Sequence, residues 1–222
     1  MGSIEKTTAM ITSIKAKSEQ DLRCPCYCEE NVWRLAYRRQ NPKDYVVFVS
    51  NDDQCCLFYN QKANPSQACF WDYHVILMHI DVDSKVWILD MDSTLPYPCP
   101  FKQYIEQSFR KEFQAYLPKF RIIQARDYLE MFYSDRMHMF NEETGLWNTP
   151  PPKQYDCIMD GLHSSNDSND CNSKGSNLYN YIHMSCSTFI PKGTTIFNFL
   201  QAWDKMGLVL SMKDLILFVS AS

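Results

Sequence analysis

Residues 70–93, FWDYHVILMHIDVDSKVWILDMDS, constrain the fold more than any other stretch of the chain. Two runs rich in Val, Ile, Leu, Tyr and Trp, at 73–80 and 86–91, flank the polar residues 81–85, the pattern of a β-hairpin. Both faces of both runs are apolar over most of their length, which is how a central strand covered on two sides reads. The rest of the chain must therefore supply layers above and below this hairpin. With the turn centred on Val82, facing residues have numbers that sum to 164, so Met78 meets Val86, Ile76 meets Ile88 and His74 meets Asp90. Directly opposed residues have Cβ atoms roughly 4.5–5.5 Å apart, within reach of an Asp–imidazole hydrogen bond. A slip of one residue would send His74 and Asp90 to opposite faces.

Upstream, the pattern changes at Cys28. Residues 29–39 place Val32, Trp33, Ala36 and Tyr37 on one helical face, with Glu29 and Glu30 in the first turn and Arg38 and Arg39 in the last, as the helix dipole prefers. A helix starting just after Cys28 sets that thiol against unsatisfied N–H groups, which can lower a thiol pKa from about 8.5 toward neutrality. Glu29 and Glu30 oppose the effect if their side chains point back at sulfur, so a neighbouring imidazolium is needed, and His74 is the candidate. A small buried thiol at a helix cap is the plainer alternative.

The other elements follow local signals. Residues 45–50 read as a strand, and 55–59 as a strand returning against it. The three prolines within 95–100 (LPYPCP) make a rigid extended segment. Residues 101–116 are helical in pattern, 120–125 a strand, and 127–132 a short helix capped by Asp127. A polar cluster at 134–139 (SDRMHM) carries a further histidine, His138. Residues 161–177, mostly Ser, Asn and Asp, read as a flexible insertion in a single catalytic domain spanning 23–206. Residues 1–22 read as a loosely ordered arm, 195–203 as helical, and 207–222 as an apolar tail too short to cross a bilayer. The fold class expected is α+β: an antiparallel sheet packed against helices, with a papain-like or transglutaminase-like cysteine hydrolase core.

The balance of 22 basic and 26 acidic residues gives a formal charge of −4, which offers no basic field for nucleic acid or an anionic membrane. No signal-peptide run opens the chain, and Lys6 stands where a myristoylation motif wants Ser or Thr. A cytoplasmic protein is expected, with the nucleus as a further compartment, and its ten cysteines reduced. Cys24, Cys26 and Cys28 alternate with other residues and have no second knuckle, so no metal site and no cofactor is expected.

A cysteine at a helix start, a histidine on a buried strand and an aspartate on the next strand supply the nucleophile, base and orienter of thiol acyl-transfer enzymes. Six segments carry a closer resemblance: Cys26-Tyr27-Cys28-Glu29-Glu30-Asn31-Val32-Trp33, Trp71-Asp72-Tyr73-His74-Val75, Asp90-Met91-Asp92, Leu95-Pro96-Tyr97-Pro98-Cys99, Ser134-Asp135-Arg136-Met137-His138-Met139 and Pro150-Pro151-Pro152. In this order, over about residues 24–158, the chain resembles the protein N-terminal glutamine amidohydrolases. The resemblance implies Cys28 as nucleophile, His74 as base and Asp90 as orienter. It also implies proteins or peptides beginning with Gln as substrates, converted to Glu with release of ammonia, a step that feeds N-degron turnover. Residues 160–176 and the tail after Gly207 depart from the family pattern. Tyr27, Trp71, Asp72 and Tyr73 flank the presumed catalytic residues and are expected to form the substrate pocket, in a monomer. A cysteine protease or deubiquitinase-like hydrolase, a transglutaminase and a zinc-binding interaction module are the competing readings.

Overall fold

The hairpin lies inside a six-stranded antiparallel sheet in the computed structural model, which describes residues 18–153, 155–159, 175–184 and 205–220. The strands are β1 (Asp44–Ser50), β2 (Cys56–Phe58), β3 (Cys69–Trp71), β4 (His74–Ile80), β5 (Val86–Leu89), β6 (Cys99–Pro100), β7 (Lys119–Gln124), β8 (Phe140–Asn141), β9 (Leu146–Trp147) and β10 (Leu208–Ser211). The helices are α1 (Cys28–Arg39), α2 (Phe101–Ser108), α3 (Ala125–Met131), α4 (Leu178–Ile182) and α5 (Met212–Ser220). The main sheet runs β10-β7-β1-β4-β5-β6. No helix among the described residues is long and apolar enough to cross a membrane.

Both faces of the sheet are covered, as the two-sided apolar pattern requires. Val46, Phe48, Val75 and Leu77 pack under α1, α3 and α4 through Val32, Leu35, Tyr128 and Tyr181. Val47, Val49, Ile76 and Met78 pack on the other face under α2 and α5 through Phe101, Tyr104, Leu215 and Phe218. The alternation along β1 and β4 assigns each side chain to one core or the other.

The hairpin register differs from the expected one by two residues. Met78 faces Ile88 and Ile80 faces Val86, so facing numbers sum to 166 and the turn is centred on Asp83. The Asp81 carboxylate explains the centre, since its Oδ1 accepts the N–H groups of Asp83 and Lys85, both at 2.9 Å. Ser84 then takes a positive φ of 63° to close the loop. A two-residue slip preserves the face on which each side chain lies, so His74 and Asp90 still share one, and they meet diagonally rather than squarely.

Other expectations are corrected. Residues 56–58 do not return against β1; they pair with β3 as a separate two-stranded sheet, Cys56 facing Trp71. The places beside β1 are taken by β4 and β7, whose longer apolar runs bury more surface. Helix α2 stops at Ser108, and only a 3-10 turn at Gln114–Tyr116 follows. Asp127 sits inside the first turn of α3, and the cap position belongs to Gln124. Ser18 to Leu22 of the expected arm are docked: Leu22 is buried and Glu19 pairs with Arg39 at 2.9 Å. Residues 1–17, most of the 161–177 segment and the expected helix at 195–203 lie outside the described residues.

Helix α1 is buried on more than its apolar face. Glu30 is wholly buried between Arg34 and Arg136, at 2.9 and 2.7 Å. Arg136 also donates to the carbonyls of Pro152, Tyr155 and Asp156, which ties the 134–158 region down on α1. A buried carboxylate requires such partners.

The segment from Gly207 joins the sheet, with β10 pairing against β7 and α5 closing the core through Leu215 and Phe218. Gly207 has a φ of +75°, and a Cβ there would stand 2.3 Å from the Ile122 carbonyl oxygen. Gly207→Ala is therefore expected to lower stability by about 2–3 kcal/mol, read as a fall in the urea midpoint at unchanged slope.

Candidate active site

Helix α1 starts at Cys28 because the chain before it is pinned. Asn31 clamps the backbone of Cys24, its Oδ1 accepting the Cys24 N–H at 2.8 Å and its Nδ2 donating to the Cys24 carbonyl at 2.7 Å. Tyr27 occupies the cap position, wholly buried, and its hydroxyl donates to the Thr149 carbonyl at 2.9 Å. Cys28 is partly accessible. Its S–H points at Glu29 Oε2, 3.6 Å away. The thiol packs against the cluster that includes Val75, the residue after His74 on β4.

His74 is buried, and its Nε2 is 2.9 Å from Asp90 Oδ1. That bond commits Nε2 to the aspartate and leaves Nδ1 as the ring's other nitrogen. Trp71 packs on the imidazole with ring centroids 4.6 Å apart, and Phe58 meets it edge-on at 5.5 Å. Asp90 is fully engaged: Oδ1 also accepts the Asp92 N–H at 2.9 Å, and Oδ2 accepts the Tyr104 hydroxyl at 2.8 Å. Tyr104 was invisible in the sequence as a site residue, since its position on α2 reads as core packing. Asp92 is held by Arg23 at 2.6 Å.

The electrostatics follow from burial and these partners. Burial alone would push His74 toward its neutral form, but the charge and hydrogen bond of Asp90, aided by Asp92 and Glu29, outweigh it and raise the imidazole pKa. Burial would raise Asp90, and His74, Tyr104 and the Asp92 N–H together hold it below the ordinary value instead. The thiol behaves differently from the expectation for a helix start. Burial, then Glu29 and Asp92, push Cys28 well above its ordinary value, so it rests as a thiol. The helix terminus is too weak against a carboxylate at 3.6 Å.

Glu29 itself is wholly buried, and burial raises its pKa to about 7. An unfolded chain releases this proton near 4.5, the folded chain only near 7, so ionisation of Glu29 costs stability as pH rises through that window. Glu29→Gln is expected to remove the loss, closing a gap on the order of 3 kcal/mol between pH 4.5 and 7.5 in urea unfolding of the two proteins.

The remaining expected pocket residues lie around the same strand. Trp71 is half-buried against His74, and Asp72 is exposed. Tyr73 donates its hydroxyl to Glu29 Oε2 at 3.1 Å. Tyr27 is gathered to the site through its backbone, with its ring in the core. Among the described residues, one trio could offer converging metal ligands: His74, Asp90 and Asp92, within 4.8 Å of one another. Its members are already committed to each other, to Tyr104 and to Arg23. Cys24, Cys26 and Cys28 form no such group among the described residues.

The family model for N-terminal glutamine amidase matches residues 23–219. The protein N-terminal glutamine amidohydrolase of Bos taurus is 40% identical over 146 residues, 61% of this chain and 70% of that protein. The Homo sapiens protein of that name is 39% identical over the same shares, and that of Drosophila grimshawi 41% identical over 57% of this chain and 67% of its own length. The family match runs through β10 and α5, so the segment after Gly207, expected to depart from the family pattern, falls within it. With the match covering nearly the whole chain, the protein belongs to the N-terminal glutamine amidase family.

Proposed function

We propose that this chain hydrolyses the side-chain amide of an N-terminal Gln on proteins and peptides, yielding Glu and ammonia, with Cys28 as nucleophile, His74 as base and Asp90 as orienter. The observation that carries the assignment of roles is the His74 Nε2–Asp90 bond of 2.9 Å, made at the start of the strand against which α1, with Cys28 at its first position, packs. Helix α1 followed by the β4–β5 hairpin, carrying Cys, His and Asp in that order, is in keeping with a papain-like or transglutaminase-like core.

In this reading the resting thiol passes its proton to His74 Nδ1 as sulfur attacks the amide carbon. The tetrahedral oxyanion takes hydrogen bonds from N–H groups at the start of α1, that of Cys28 first among them. His74 then gives its proton to the leaving nitrogen, ammonia departs and a thioester remains. Water enters, loses a proton to His74, and attack on the thioester releases Glu and restores the thiol. Asp90 fixes the ring tautomer and stabilises the imidazolium throughout. Trp71, Asp72 and Tyr73 wall the substrate, with Tyr27 setting the helix start. The new N-terminal Glu then passes to an N-degron route of degradation.

The test is mass spectrometry and ammonia assay on four peptides: one with free N-terminal Gln, one acetylated on that Gln, one with N-terminal Asn and one with internal Gln. Conversion of amide to acid in the first alone, with stoichiometric ammonia, is the expected result. Chain cleavage, or amine incorporation at internal Gln, would replace this reading by a protease or a transglutaminase.

A further inference from the structure

Six carboxylates are buried among the described residues: Glu29, Glu30, Asp44, Asp90, Asp92 and Asp127. Five have a cationic or imidazole partner within 3.4 Å. Glu30 has Arg34 and Arg136, Asp44 has Arg39 and His79, Asp90 has His74, Asp92 has Arg23, and Asp127 has Arg126. Glu29 is wholly buried, yet its Oε2 receives no cation, only neutral donors such as the Tyr73 hydroxyl and the weak S–H of Cys28, and its Oε1 has no hydrogen-bond partner. The nearest basic group to Oε1 is His138 Nε2 at 3.8 Å, on a side chain 26% exposed, and burial keeps that imidazole toward its neutral form. A buried carboxylate without a cation is costly, and such an atom beside a nucleophile points to a ligand that brings the missing charge.

Resting on the reading of this site as one for N-terminal Gln, we propose that Glu29 is the receptor for the substrate's α-ammonium, which binds at Oε1 on the side now approached by His138. The spacing suits the substrate. Four bonds separate the α-nitrogen of Gln from the amide carbon that sulfur attacks, and the Glu29 carboxylate stands close to the nucleophile, its Oε2 3.6 Å from Cys28 Sγ and its Oε1 without a hydrogen bond. His138, exposed on its outer side, turns aside to admit the ammonium.

This assignment gives Glu29 a second effect. Its charge opposes thiolate formation in the empty site, and a bound ammonium cancels that charge. The nucleophile is then released only by a substrate with a free N-terminus. An acetylated Gln, or a Gln inside a chain, carries no such cation and leaves the thiol protonated. Selection for the N-terminus is thus made at the nucleophile as well as by contact.

The experiment compares a Gln peptide with its desamino analogue, in which the α-ammonium is replaced by hydrogen, in wild type and Glu29→Gln. The Gln variant keeps an acceptor for Tyr73, and its fold is checked by thermal unfolding. Wild type is expected to prefer the Gln peptide in kcat/KM by roughly 10- to 100-fold, the range of one charge-assisted hydrogen bond. In Glu29→Gln the preference should fall to within about threefold of unity, whatever the absolute rate. Iodoacetamide alkylation of Cys28 at neutral pH, which needs no substrate, should be faster in the variant. A variant that keeps the full wild-type preference, or alkylates no faster, overturns the proposal. Failure of wild type to release ammonia from the Gln peptide would instead remove the functional reading on which it rests.

Discussion

Cys28→Ser is expected to reduce ammonia release from an N-terminal Gln peptide by at least about 10³-fold in kcat, with KM and thermal stability nearly unchanged. The substitution is nearly isosteric, and the serine hydroxyl keeps a donor for the Glu29 carboxylate that the S–H now points at. What is lost is acidity. A site in which burial, Glu29 and Asp92 already hold a thiol protonated leaves an alcohol far from ionisation, and His74 cannot supply the difference. Retention of more than a tenth of the wild-type rate would show that Cys28 is not the nucleophile.

Asp90→Asn should cost roughly 10²–10³ in kcat, by a route that the local hydrogen bonds define. The Asp92 N–H and His74 share Oδ1, so the amide keeps its oxygen there and turns its NH2 toward Tyr104, whose hydroxyl can rotate to accept. The His74 tautomer survives, and the missing quantity is the negative charge that favours the imidazolium. Burial then acts unopposed by Asp90, the His74 pKa falls, and the acid limb of kcat/KM moves to lower pH. A loss of activity with no movement of that limb would show that Asp90 serves the fold rather than the imidazole. Tyr104→Phe, which removes one donor and leaves the charge, should cost only about tenfold.

The features most legible in the sequence were those carried by short-range pattern. Two apolar runs around a polar turn identify the β4–β5 hairpin, and acids before and bases after an apolar stripe identify α1. The two-residue error in register arose because hydrophobic pattern specifies only which face a residue lies on. The turn centre was set by the Asp81 carboxylate, whose bonds to the Asp83 and Lys85 N–H groups are a choice among several polar residues in the loop. The partner of β2 was illegible for a similar reason, since a three-residue strand carries no mark of its neighbour. Long-range polar contacts were hidden altogether. Glu29 and Glu30 read as first-turn acids of the helix dipole, and the burial of Glu30 against Arg136, more than a hundred residues away, carries no local mark. The balance at the thiol stays open in the sequence, because whether the neighbouring acids point back at sulfur is not a local pattern; Glu29 does so at 3.6 Å.

The placement of β10 bears on how the protein is made. A chain emerges from synthesis N-terminal end first, so Cys28, His74 and Asp90, with the strands and helix that mount them, are available long before residue 208. Through that interval β7 has β1 on one side and an unpaired backbone on the other, an open template for any extended segment nearby. The β7 edge is covered, and replaced by the shorter edge of β10, only when Leu208 to Ser211 arrive and Gly207 fits against Ile122. Translation cut short before that point would release a polypeptide with its reactive groups complete and its sheet unsealed, a species suited to aggregation and to capture by chaperones rather than to turnover of substrate.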